Sequence, residues 1–111
     1  MVISGSVHGS FEKKIKTIPE LIEIARQCRR KGKRIVHCHG VFDILHIGHV
    51  HHFEQAKKEG DVLIVTLTTN EFVAKGGGRP IFDENLRLAT MASLEIVDYV
   101  AINKDSGCRT Y

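Results

Sequence analysis

The stretch "HGVFDILHIGH", from His39 to His49, gathers three histidines, two glycines and an aspartate into eleven residues, directly after the short apolar run "RIVHC". Glycines at a strand–helix junction let the backbone turn and approach a phosphate closely. Paired histidines hold either a metal or an anion. His46 and His49 are three residues apart. If a helix starts near His46, both imidazoles project from one side of its first turn. Two donors beside the positive end of a helix would hold a phosphate and stabilise charge building on it. The plain alternative is two surface histidines at a helix start. The other histidines are His8, His37, His51 and His52. A zinc site drawn from this pool lacks an H-E-x-x-H pattern, a cysteine pair and a placed carboxylate, so no metal ligand is assigned.

The elements around this stretch must put it where a ligand can reach it. Thr17 and Glu20 have capping-box spacing, and Leu21, Ile24, Ala25 and Cys28 follow at helical spacing, with Gly32 able to close the helix. "RIVHC" reads as a strand. "GHVHHFEQAKKEG" reads as a helix with Val50, Phe53 and Ala56 or Lys57 on one face, stopping at Gly60. "DVLIVTLTT" is a nearly continuous β-branched run, the pattern of a strand buried on both faces. "KGGGRP" is a loop. Asp83 can N-cap a helix over "ENLRLATMASLEI", and "DYVAI" is a third strand. The order α–β–α–β–α–β implies an α/β fold with a parallel sheet and right-handed crossovers. In such sheets ligands bind beyond the carboxyl ends of the strands, near a switch in strand order. The histidine stretch lies beyond the carboxyl end of the first strand. Residues 1–16 show no period and read as a leader or linker, and residues 106–111 as an unmatched tail.

Composition narrows the partners. The chain has 111 residues, enough for one small domain, and 42% of them are hydrophobic, as in a globular chain. Aromatics make up 6% with no Trp, which argues against a stacking platform for nucleic acid. The net charge of +3 is too weak to argue for nucleic acid but suits an anionic small molecule. Cys28, Cys38 and Cys108 are odd in number and form no C-x-x-C, so a disulfide framework is not expected. The chain start lacks the apolar core of a signal peptide, and no apolar run approaches membrane-spanning length. The expected compartment is the cytoplasm.

The segment "GVFDILHIGH" resembles the H-x-G-H signature of the cytidylyltransferase-like nucleotidyltransferases. The likeness runs over residues 17–105, taking in the motif, the glycine loop and the late arginine helix in the family's order. It is strongest to the adenylyltransferase domain of bacterial ADP-heptose synthases, and extends to glycerol-3-phosphate cytidylyltransferases. It implies a Rossmann-like three-layer parallel sheet. It also implies transfer of a nucleotidyl group, adenylyl from ATP or alternatively cytidylyl from CTP, to a phosphorylated sugar or polyol, with Mg²⁺ accompanying the nucleotide and release of pyrophosphate. By this resemblance His46 and His49 contact the α- and β-phosphates. Gly40 and Gly48 let the nucleotide approach, with His39, Val41 and Phe42 beside it. Phe42 reads more as packing than as contact. Asp43 orients either the loop or a substrate group. Lys75 stands in "AKGGGRP", where family members carry a basic residue near the substrate phosphate, and joins the two histidines as a catalytic residue; Arg79 of the same loop is the lesser candidate for binding the substrate. Arg87 matches a helix arginine that the family turns toward the phosphates.

Two departures stand out. His39 occupies a position where the family usually has Thr or Asn. The chain also ends at "NKDSGCRTY", where family domains continue with another strand and a Ser/Thr-rich segment. On that reading the domain is incomplete and binds nucleotide weakly. Its final strand offers an exposed edge to a second copy, making a homodimer. A reading of another class is a non-catalytic nucleotide-binding or dimerisation module.

Overall fold

The computed structural model describes residues 10–42, 45–68 and 84–103. A 3-10 helix, Ser10–Lys14, comes first. Helix α1 spans Ile18–Arg30, strand β1 Ile35–Gly40, helix α2 Ile47–Lys58, strand β2 Val62–Thr68, helix α3 Glu84–Ala92 and strand β3 Tyr99–Asn103. The strands form one parallel sheet in the order β1-β2-β3. The fold is the α/β, Rossmann-like arrangement that the sequence predicts. Among the described strands the order runs straight through without a switch.

Local rules account for most of these elements. The Thr17 side chain accepts from the Glu20 N–H, and the Glu20 carboxylate accepts from the Thr17 N–H at 2.9 Å, completing the capping box. That bond to the backbone holds the Glu20 carboxyl below its usual range. Strand β2 is buried from Val62 through Leu67, so it needs apolar cover on both faces. Successive side chains supply it alternately. Leu63, Val65 and Leu67 join Phe53 of α2 and Met91 and Ala92 of α3. Val62 and Ile64 join Leu21 of α1 and Ala101 of β3. One layer of helix therefore covers each face, which gives the three layers. Asp98 locks the sheet from below: its carboxylate accepts from the Leu63 N–H at 2.7 Å and pairs with Lys57 of α2.

The structure changes three expectations. Residues 10–16 belong to the domain: Phe11 and Ile15 pack on the core, and the Lys16 N–H donates to the Val100 carbonyl at 2.8 Å. Two apolar residues, one in a short 3-10 helix and one just after it, leave no periodic trace in the sequence. The same contact, a bridge between Ile15 and Val100, meets the outer side of β3, so that edge is partly occupied by the chain's own earlier segment. Helix α3 stops at Ala92 and does not continue through "SLEI". The Leu94 N–H bonds the Met91 carbonyl at 3.2 Å and the Val97 N–H the Leu94 carbonyl at 3.2 Å, tightening the chain into turns that bury Val97 before β3. The glycine loop "KGGGRP", the cap at Asp83 and the tail at 106–111 lie outside the described residues.

Candidate active site

The site begins where β1 ends. Gly40 closes the strand, Val41 is exposed, and Phe42 takes a left-handed φ of 46°. That conformation is costly for a bulky side chain and marks a turn held by its surroundings. The holding contacts are aromatic. The Phe42 ring meets Phe53 edge-on at 5.3 Å and His49 at 5.5 Å. It also folds back over Gly40, where a Cβ would sit 2.8 Å from the ring. Gly40 thus makes room for Phe42 on its Cβ side, and Phe42 in turn supports His49.

The histidine pair forms the start of α2. His46 is the N-cap, and its Nδ1 accepts from the Gly48 N–H at 3.0 Å. The His46 N–H donates to His49 Nδ1 at 3.3 Å. The rings lie 4.1 Å apart, centre to centre. An imidazole nitrogen that accepts from a main-chain N–H carries no proton, so in each neutral ring the proton sits on Nε2. Among the described residues neither Nε2 has a partner. The spacing between the histidines now has a physical reason: a Cβ at residue 48 would lie 2.7 Å from the His46 ring, so only glycine lets His46 fold over the helix end. The N–H groups of Gly48 and His49 are both engaged by His46, the latter at 2.9 Å to its carbonyl, which leaves the two ring Nε2–H groups as outward donors at this helix start.

On the α1 side of the sheet, His39 Nδ1 and His37 Nε2 each lie 2.7 Å from the Thr66 hydroxyl, which is fully buried. His39 Nε2 is 3.4 Å from the Thr68 hydroxyl. The two threonines escaped the sequence reading because "DVLIVTLTT" looks uniformly β-branched. The available signal was spacing: Thr66 and Thr68 share a face, as do His37 and His39 on the neighbouring strand. Arg87 is buried, with 2% of its surface exposed. Its Nη1 donates to the Val41 carbonyl at 3.0 Å and to the Thr68 carbonyl at 2.9 Å. The structure commits Nη1 to the ends of the two strands. Asp43, Lys75 and Arg79 lie outside the described residues. No three His, Cys, Asp or Glu side chains among the described residues stand close enough together to hold a metal ion. His51 pairs with Glu54 at 3.3 Å on the exposed side of α2.

Burial lowers the pKa of His37, His39 and His49, with His39 adding to the effect on His37, and His46 and His52 adding to that on His49. All three rings favour the neutral form in the folded chain, which binds fewer protons than the unfolded chain just below pH 6.5. Their contribution to stability is therefore complete above that pH and lost as the pH falls through the lowered values. Thermal unfolding followed by circular dichroism should give a lower Tm at pH 5.5 than at pH 7.5. His39→Asn should flatten that dependence.

Residues 37–110 match the model of the cytidylyltransferase-like family. The chain belongs to this family of nucleotidyltransferases. The chain is 47% identical over 90 residues to the bifunctional protein HldE of Aliarcobacter butzleri, covering 79% of this chain and 19% of that protein. It is 46% identical over 93 residues to HldE of Nitratiruptor, covering 82% and 20%. The likeness to the adenylyltransferase domain of ADP-heptose synthases is thereby borne out. The chain spans about one fifth of these relatives' length. Among solved structures, the lipopolysaccharide core biosynthesis protein of Thermoplasma volcanium superimposes with a TM-score of 0.62 at 42% identity, over 65% of this chain and 59% of that one. The family match takes in the last four residues of β1, the capped histidine pair and the arginine helix together. Among the described residues no helix is long and apolar enough to cross a membrane.

Proposed function

We propose that the chain catalyses adenylyl transfer from ATP to a sugar phosphate in the cytoplasm, releasing pyrophosphate. The observation that carries this reading is the pair of main-chain hydrogen bonds to the two Nδ1 atoms at the start of α2. Both Nδ1 atoms are tied to main-chain N–H groups, so two Nε2–H donors stand side by side at a helix N-terminus. That array suits phosphate oxygens. It does not suit a cation, because a ring ligating through Nε2 would carry its proton on Nδ1 and break the cap. The nucleotide would be taken up as its Mg²⁺ complex, the ion supplying neutralisation of part of the triphosphate charge.

A substrate phosphate oxygen attacks the α-phosphorus in line, the bond to the β-phosphate oxygen breaks, and pyrophosphate leaves. No covalent enzyme intermediate is needed, so the protein contributes position and charge stabilisation. His46 and His49 donate to the α- and β-phosphate oxygens as charge redistributes onto them. Gly48 and Phe42 hold the two rings in place. By the resemblance alone, Lys75, Arg79 and Asp43 are assigned to the acceptor, with Lys75 as the catalytic residue among them. The preference for adenylyl over cytidylyl transfer rests on the likeness to HldE.

A pyrophosphate-release assay with Mg²⁺, over a panel of nucleoside triphosphates and sugar phosphates, tests the proposal. Turnover with ATP and a sugar phosphate is expected. Turnover only with CTP and a polyol phosphate would replace the donor and acceptor assignments. Nucleotide binding without turnover on any acceptor would leave a binding module in place of an enzyme.

A further inference from the structure

We propose that Thr66 is a positioning residue whose buried hydroxyl, acting through His39, fixes the chain at Gly40 where the phosphate-binding turn begins. The proposal rests on the nucleotidyl-transfer reading for its kinetic consequence, and on hydrogen-bond geometry for its substance.

Three features lead to it. Thr66 Oγ1 lies 2.7 Å from His37 Nε2 and 2.7 Å from His39 Nδ1. A hydroxyl has one proton to give, so it can donate to only one of these nitrogens. The other ring must donate to it. The single buried hydroxyl thus selects the protonated nitrogen of at least one ring, and a ring flip at His39 would break a short bond away from water. Thr68 adds a longer contact to the far nitrogen of His39 at 3.4 Å. Second, His39 pairs with Thr66 in the β1–β2 register and Gly40 with Leu67, so the side-chain bond reinforces the ladder at the last two positions of β1. Third, the residue on the other side of Gly40 is tethered independently, because Arg87 holds the Val41 carbonyl at 3.0 Å and the Thr68 carbonyl at 2.9 Å. Gly40 therefore sits between two fixed neighbours, both attached to β2. The turn that follows carries Phe42, which meets His49. Freeing His39 loosens one of the two attachments and lets that turn drift.

Thr66 is fully buried, which makes it a clean probe. Thr66→Val keeps the shape and removes the hydroxyl; Thr66→Ser restores the hydroxyl. In the pyrophosphate-release assay Thr66→Val is expected to lower kcat about tenfold with little change in KM for the nucleotide, since small misplacements near reacting groups carry costs of that order. Thr66→Ser should recover most of the loss. A residue that served only the fold would change Tm and leave kcat of the folded protein alone. The second measurement needs no turnover: long-range ¹H–¹⁵N spectra of the full chain should show His39 held in one neutral tautomer, and averaging between tautomers in Thr66→Val. A chain without turnover but with a fixed His39 tautomer lost in Thr66→Val would retire the enzymatic reading and keep the brace. Wild-type kcat in Thr66→Val, or a His39 ring that averages tautomers in the wild-type chain, overturns the proposal. The wild-type spectrum decides alone if Thr66→Val does not fold.

Discussion

His46→Ala and His49→Ala should each lower kcat by roughly 10²–10³, about 3–4 kcal/mol, the loss typical of removing one preorganised donor from developing charge. Two other substitutions separate this role from the helix cap that His46 also provides. His46→Ser keeps a side-chain acceptor at the N-cap but removes the Nε2–H donor. It should hold Tm near that of the wild type, whereas His46→Ala costs about 0.5–2 kcal/mol of stability; both should lose kcat alike. Gly48→Ala leaves both histidines in the sequence, yet its Cβ would lie 2.7 Å from the His46 ring and must displace it. It is expected to reproduce most of the His46→Ala defect. Steady-state pyrophosphate release and thermal unfolding on the same preparations make the comparison. Near-normal kcat in both alanine variants would remove the histidines from the mechanism.

Arg87→Met should be the most destabilising single change at the site. Methionine keeps much of the apolar stem but cannot donate to the carbonyls of Val41 and Thr68. Hydrogen bonds from a charged donor contribute about 1.5–3 kcal/mol each, and buried carbonyls left without partners add their own cost. The expected loss is about 3–5 kcal/mol, against a total near 5–15 kcal/mol for a domain of ordinary stability. Denaturant titration should show the midpoint falling steeply, with Tm lower by about 10 °C or more. A Tm within about 2 °C of the wild type would mean that water replaces the guanidinium at little cost.

Much of this molecule is legible in the chain itself. Thr17 and Glu20 announce the start of α1 because a capping box is a local arrangement, complete within four residues. The run Val62–Leu67 declares a strand buried on both faces because its apolar pattern has no polar side. His46, Gly48 and His49 stand out as a candidate site by their spacing, and their mutual cap is again local. What escaped the sequence is what joins distant residues. Phe11 and Ile15 are core residues only because β3 passes beside them. Nothing local to Gly40 shows that the Phe42 ring lies against it. The strand order and the attachment of His39 to Thr66, 27 residues away, follow from which strands pair and in what register. The reach of Arg87 to Val41 spans 46 residues. A local pattern fixes backbone conformation over a few residues. The partner of a buried polar group is chosen by the packing of the whole sheet, which desolvates that group and leaves it one place to bond.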